Sequence, residues 1–175
     1  MSDRGHHVGP LEIRAAAPAD FDEIERIETL ADRLFVEAFH PAHWPPARTA
    51  ADRLEQGGFI LVGVANAGTL IGFAHVIEIE GIAHLEQVSV LPAHGQRGYG
   101  RALVEAAMRA ARERGYTELS LRTYADVPWN GPFYRGIGFT ESEPRGSFLR
   151  DLVKAERAEG LEQYGSRVQM SVPLT

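Results

Sequence analysis

Three features of the chain predict a mixed α/β (α+β) fold, a sheet flanked by helices. Residues 59–65 and 70–80 are two strand-like runs joined by Asn66-Ala67-Gly68-Thr69, which reads as a β-hairpin. Residues 84–104 run from a strand into a glycine-rich turn and then a helix, and Leu119, Leu121 and Thr123 follow as another strand. Apolar residues at helical spacing occupy the segments between strands. Hairpins make antiparallel pairs and a helical crossover makes a parallel one, so the sheet must be mixed.

Taken in order, residues 1–9 read as a flexible leader, and Leu11, Ile13 and Ala15 alternate with Glu12 and Arg14 as a first strand. Asp20 suits a helix N-cap, with Glu23 at the capping-box position. Phe21, Ile24, Ile27, Leu30, Leu34 and Phe35 then carry a helix to about residue 38, ended by His40-Pro41. Residues 47–56 predict a shorter helix, and Gly81 marks the turn into the next strand. The helix after the glycine-rich turn has an apolar face of Leu103, Ala106, Ala107 and Ala110. Glu105–Arg109 and Arg109–Glu113 are opposite-charge pairs on its wet side, and Gly115 suits its C′ position. Residues 130–136 form a short helix, Phe139 begins a short strand, Ser147 caps a further helix, and residues 167–174 close the chain as a strand.

Composition narrows the function. Hydrophobic residues at 44% and charged residues at 24% describe one globular domain, here residues 10–175. No apolar run reaches the ~18 residues of a membrane span, and the N-terminus lacks a signal-peptide core, which predicts a cytoplasmic protein with no membrane partner. The absence of cysteine excludes disulfides, thiolate metal sites and a cysteine acyl-enzyme. A net charge of −6 argues against a nucleic-acid partner. His40-x-x-His43 is proline-flanked with no carboxylate companion, so it reads as a loop, and no metal is expected. His75 and His84 read as satisfied sheet histidines, and Trp44, Tyr124 and Trp129 as packing or pocket walls.

The turn at Gly95, Gly98 and Gly100 offers bare N–H groups at the positive end of a helix, a geometry suited to phosphate. A dinucleotide fingerprint fails because Leu103 stands at its sixth position and no acidic residue ends the next strand, where Arg122 and Thr123 lie. A nucleotide-triphosphate loop fails because Arg101-Ala102 replaces its lysine and hydroxyl. Pro92 to Leu103, followed by Asn130-Gly-Pro-Phe-Tyr-Arg-Gly-Ile-Gly-Phe139, instead resembles the GNAT superfamily of N-acyltransferases. Those segments match its pyrophosphate motif, Arg/Gln-x-x-Gly-x-Gly/Ala, and its later Asn, Phe-Tyr, Gly-Phe motif. One position departs: Gly95 stands where the family has Arg or Gln, with Gln96, Arg97 and Arg101 beside it.

The resemblance implies a centrally splayed sheet of six to seven strands, with residues 84–140 as the acyl-CoA-binding core. It implies acetyl-CoA as co-substrate and direct acetyl transfer to a primary amine of a small molecule or peptide, and it admits a homodimer. Gly95, Gln96, Arg97, Gly98, Gly100 and Arg101 would hold the pyrophosphate, and the main chain of Val88 and Val90 the pantetheine arm and thioester oxygen. Asn130 matches a pantetheine-bonding position, against the simpler reading of a helix N-cap. Glu86 is either the base that deprotonates the amine or an exposed strand glutamate. Tyr134 is either the acid that protonates the leaving thiolate or a core aromatic beside Phe133 and Phe139. The rival is an acyl-CoA-binding or sensing module that has lost catalysis.

Overall fold

A computed structural model describes residues 10–175; the predicted leader lies outside the described residues. Strands β1 (Glu12–Ala15), β2 (Phe59–Ala65), β3 (Thr69–Ile79), β4 (Ile82–Val90), β5 (Glu118–Tyr124), β6 (Thr140–Glu141) and β7 (Arg167–Pro173) form one sheet. Its order is β1-β2-β3-β4-β5-β7-β6. Helices α1 (Phe21–Phe39), α2 (Ala50–Gln56), α3 (Tyr99–Glu113), α4 (Gly131–Ile137) and α5 (Gly146–Ala158) flank it. Every neighbouring pair is antiparallel except β4–β5, the two strands that α3 connects. No helix among the described residues is long and apolar enough to cross a membrane.

The β4–β5 pairing is brief. Only Ala83↔Leu119 and His84↔Ser120 are in register, after which the strands part. β5 stays paired with β7 along its whole length, so the sheet divides into a β1–β4 half and a β5-β7-β6 half. Beneath the junction, Leu103, Val104, Ala107 and Ala111 of α3 pack on Ala83, Leu85, Leu119, Leu121 and Met170. On the opposite face, Ile24 and Ile27 of α1 cover Val62, Val64 and Phe73.

Several local expectations are corrected. Asp20 does not cap α1 with its side chain; its carboxylate accepts the Ala17 N–H at 2.7 Å and pairs with Arg14 at 2.7 Å. Glu23 accepts from Arg26 instead of closing a capping box. Ser147 is not the cap of α5, whose N-cap is Arg145; its hydroxyl donates to Glu80, which also takes the Phe148 N–H. Glu105 pairs with Arg101 rather than Arg109, because Arg101 one turn earlier already bridges to the carbonyl of Gly136. The β3–β4 turn is Glu80-Gly81, both at positive φ (52° and 75°), the twist a two-residue hairpin requires.

Gly131 fixes the seat of α4. A Cβ there would lie 2.2 Å from the carbonyl oxygen of Ala125, so only a bare backbone can dock against the end of β5. Gly131→Ala is expected to cost ~1–3 kcal/mol by urea unfolding, with an unchanged m-value. A Cβ at Gly136 in the same helix meets nothing within 4 Å, and Gly136→Ala should be neutral or stabilising by up to ~1 kcal/mol.

Candidate active site

The parting of β4 from β5 leaves one edge of β4 open inside the molecule. The Leu91 N–H donates to Ile71 O at 2.8 Å, turning that residue toward β3. Alternation in an antiparallel ladder then directs the main-chain groups of Val90 and Val88 away from β3, into the gap. Their side chains pack toward α3.

Within β4 the ladder is interrupted. Val76 pairs with Leu85 and His75 with Gln87, leaving Glu86 between them as an unpaired bulge residue. The bulge changes which face the strand buries: Ala83, Leu85, Val88 and Val90 all face α3, although an even spacing of two breaks between residues 85 and 88. It also delivers Glu86 to the α1–α2 side, with its side chain 16% exposed. The exposed-glutamate reading therefore fails.

Around Glu86 the structure gathers charged groups that sequence reasoning missed. The Nε of Arg48, in the loop before α2, donates to Glu86 Oε1 at 2.8 Å. Glu86 Oε2 faces Arg53 Nη1 at 3.6 Å and His75 Nδ1 at 3.8 Å. Arg53, on α2, also bonds Glu28 of α1, and it is 2% exposed. His75 Nε2 lies 2.9 Å from the carbonyl oxygen of Gly57, to which it must donate, so Nδ1 is left to accept from Arg53 Nη1 at 3.2 Å. The ring is thus neutral, and burial pushes its pKa down. Burial pushes the Glu28 carboxyl up to about 7, against the pull of Arg53. It also raises Asp32, which accepts from Trp44 Nε1 at 3.1 Å. One signal was readable: Thr49-x-x-Asp52 forms a capping box that starts α2 immediately before Arg53.

His84, as expected, is a satisfied sheet residue, bonded to Ser120 and pushed down to about 4 by burial. Trp44 and Tyr124 join Phe35 in an aromatic wall, with ring centroids 4.4 and 5.2 Å from its own. Trp129 stands apart and partly exposed. A cavity of about 230 Å³ borders that wall at Phe39, Tyr124, Val127 and Tyr164.

At the carboxyl end of β4, a 3-10 turn over Pro92–His94 leads to Gly95 and the start of α3. The first helical bond of α3 runs from the Ala102 N–H to Gly98 O at 3.0 Å, so the N–H groups of Tyr99, Gly100 and Arg101 precede any carbonyl partner. Gly98 is left-handed at φ 81°, and Gln96 at φ 58°. Gly95 is not: its φ of −63° and ψ of 159° suit any residue. Gln96 and Arg97 are exposed beside the turn, whereas the Arg101 guanidinium is engaged with Glu105 and Gly136.

On the far side of the gap, Asn130 occupies the N-cap position of α4, yet its side chain makes no capping bond. Tyr134 lies one turn on, its ring edge-on to Phe133 and Phe139 at 5.0 and 5.6 Å. Burial pushes its phenol up to about 12. No group of three or more metal-ligating side chains occurs among the described residues.

The same architecture recurs in solved structures. The chain is similar to the ribosomal-protein-S18-alanine N-acetyltransferase from Escherichia coli (19% identity, TM-score 0.67, 95% of each chain covered). It is similar to PaiA N-acetyltransferase from Thermoplasma acidophilum in complex with coenzyme A (16% identity, TM-score 0.69, covering 94% of this chain and 99% of that one). A GNAT family acetyltransferase from Brucella melitensis in complex with acetyl-CoA also matches (22% identity, TM-score 0.55, covering 75% and 83%). These likenesses speak for the fold, and the sequence speaks for the family: residues 24–139 match the model of the Acetyltransferase (GNAT) family. The chain belongs to that family and is an acyl-CoA-dependent N-acyltransferase.

Proposed function

We propose that residues 10–175 form one acyltransferase domain that moves an acetyl group from acetyl-CoA directly to a primary amine. The observation that carries this reading is the succession of three features along the β4–β5 gap: the bulged Glu86, the free main-chain edge of β4, and the N–H groups opening α3. In that order, the N–H groups are the third feature and the edge the second. A pyrophosphate suits the third, since N–H groups at a helix start receive phosphate oxygens without a dedicated side chain. An extended amide-bearing arm suits the second, because it can pair with Val88 and Val90 as an added strand does.

Acetyl-CoA supplies an activated acyl thioester. Glu86 takes the proton from the acceptor's ammonium, which at neutral pH is otherwise unreactive. The main-chain N–H of Val88 or Val90 steadies the charge that grows on the thioester oxygen. Tyr134 donates its proton to the departing sulfur; with its phenol raised to about 12, it keeps that proton across the working range. Asn130, its side chain unused by the helix, bonds the arm near the sulfur.

Thiol release from acetyl-CoA with spermidine, ethanolamine and a lysine-containing peptide tests the activity. Binding of acetyl-CoA with no amine-dependent release would replace it with the non-catalytic binding module. Tyr134→Phe should lower kcat by about 10²-fold and leave the KM for acetyl-CoA unchanged. Because the phenol stays protonated well above pH 10, the wild-type profile should show no alkaline loss below that pH that Tyr134→Phe abolishes. Gly98→Ala forces a side chain into left-handed backbone and should raise the KM for acetyl-CoA roughly tenfold.

A further inference from the structure

We propose that Arg53 is a positioning residue for Glu86: its buried guanidinium, clamped by Glu28 and His75, sets a fixed positive charge against the Glu86 carboxylate at the β4 bulge. The inference rests on Glu86 acting as base, and it assigns a role to a side chain that at 2% exposure never meets the acceptor.

Both terminal nitrogens of that guanidinium are engaged. Nη2 bonds Glu28, and Nη1 donates to His75 at 3.2 Å while facing Glu86 Oε2 at 3.6 Å. The ring of Phe73 lies beneath it, 4.8 Å from Cζ to centroid. His75 is held in the tautomer that receives from Arg53 by its bond to Gly57 O, and the capping box holds α2. A buried cation of this kind is a poor choice for stability alone, since an apolar side chain of similar volume would avoid the desolvation cost.

The remaining charged neighbours do not duplicate the effect. Arg48 reaches Oε1 from a loop, with its side chain 47% exposed, so water screens it. Asp32, on α1, is engaged with Trp44. His84 on β4 is neutral, pushed down to about 4 by burial. Glu28 competes for Arg53, but burial raises it to about 7.

The test is a carbon-13 NMR titration of glutamate-labelled protein, with the Glu86 carboxyl signal assigned by Glu86→Gln. It needs no acceptor. Arg53→Met alone strands Glu28 and risks unfolding, so the informative variant is Glu28→Gln with Arg53→Met, which removes the cation and its buried partner together. Relative to Glu28→Gln alone, the Glu86 titration midpoint should rise by on the order of one pH unit. The acid limb of kcat/KM for the best of the three amines should move up with it, a loss that approaches about tenfold only on the steep acid side and recovers at higher pH. Arg53→Lys, which keeps the charge, should leave the midpoint near that of the wild type. An unmoved midpoint in the folded double variant overturns the proposal, as does disappearance of the acid limb in Glu28→Gln, which would make Glu28 itself the base. Wild-type turnover and pH profile in Glu86→Gln would instead remove the base reading, whatever the NMR midpoints do.

Discussion

Two register pairs, Ala83↔Leu119 and His84↔Ser120, make up the β4–β5 ladder that joins the two halves of this sheet. Everything functional follows from how soon that pairing stops. A continuous β4–β5 ladder would consume the main-chain groups of Val88 and Val90 and close the centre of the molecule. With the strands parted, those groups need another partner, because buried N–H and C=O groups left unmet are costly. On the β5 side, β7 takes the edge away from β4 from Glu118 to Tyr124, and Gly131 lets α4 seat directly on the carbonyl of Ala125.

The two faces of the sheet are built from different materials. Against α3 the contacts are apolar, as ordinary core packing demands. The other face carries buried ions in two groups, and their balance differs. Glu156 on α5 lies between Arg122 of β5 and Arg167 of β7, at 2.9 and 2.6 Å. Burial pushes that carboxyl up, but two guanidiniums outweigh it and the net shift is downward. This group is closed, and it fastens α5 across the second half of the sheet. The group around Arg53 is one cation facing two carboxylates, with a second arginine only at the rim. There burial wins, and Glu28 is pushed up. The same residue types thus shift a buried carboxyl in opposite directions, according to the ratio of guanidinium to carboxylate.

Much of this was legible in the residues. The hairpin, the crossover and the helix boundaries follow from periodicity and from Gly and Pro punctuation, and each falls within a few residues of its predicted place. The site was half legible. Glu86 could be placed on its strand, but not the bulge that turns it inward, since strict alternation puts it on a wet face. The spacing of Ala83, Leu85, Val88 and Val90 held the clue: two, then three, then two, a break no uninterrupted strand can accommodate. Arg53 was invisible for another reason. An arginine one turn into a short helix reads as solvated, and only the meeting of α1, α2, β3 and β4 shows that it has no route to water. Of the misplaced caps, Ser147 turned to Glu80, far off in the chain, where no local pattern specifies it, whereas Asp20 turned back to the Ala17 N–H and Arg14 close by.

The departure at Gly95 has a different weight once the backbone is known. A glycine in a tight turn ordinarily signals a conformation closed to other residues, yet Gly95 is extended, and the left-handed positions are Gln96 and Gly98. No side chain was given up for the sake of the turn. What is lost is a side chain at the rim of the turn, and what is gained is backbone freedom in the unfolded chain. The N–H groups of Tyr99, Gly100 and Arg101 are unaffected, because α3 and the left-handed Gly98 fix them. Gln96, in a conformation that disfavours side chains, therefore carries the strain of the turn. It sits exposed beside Arg97, where the polar reach of a longer residue at 95 would otherwise have been.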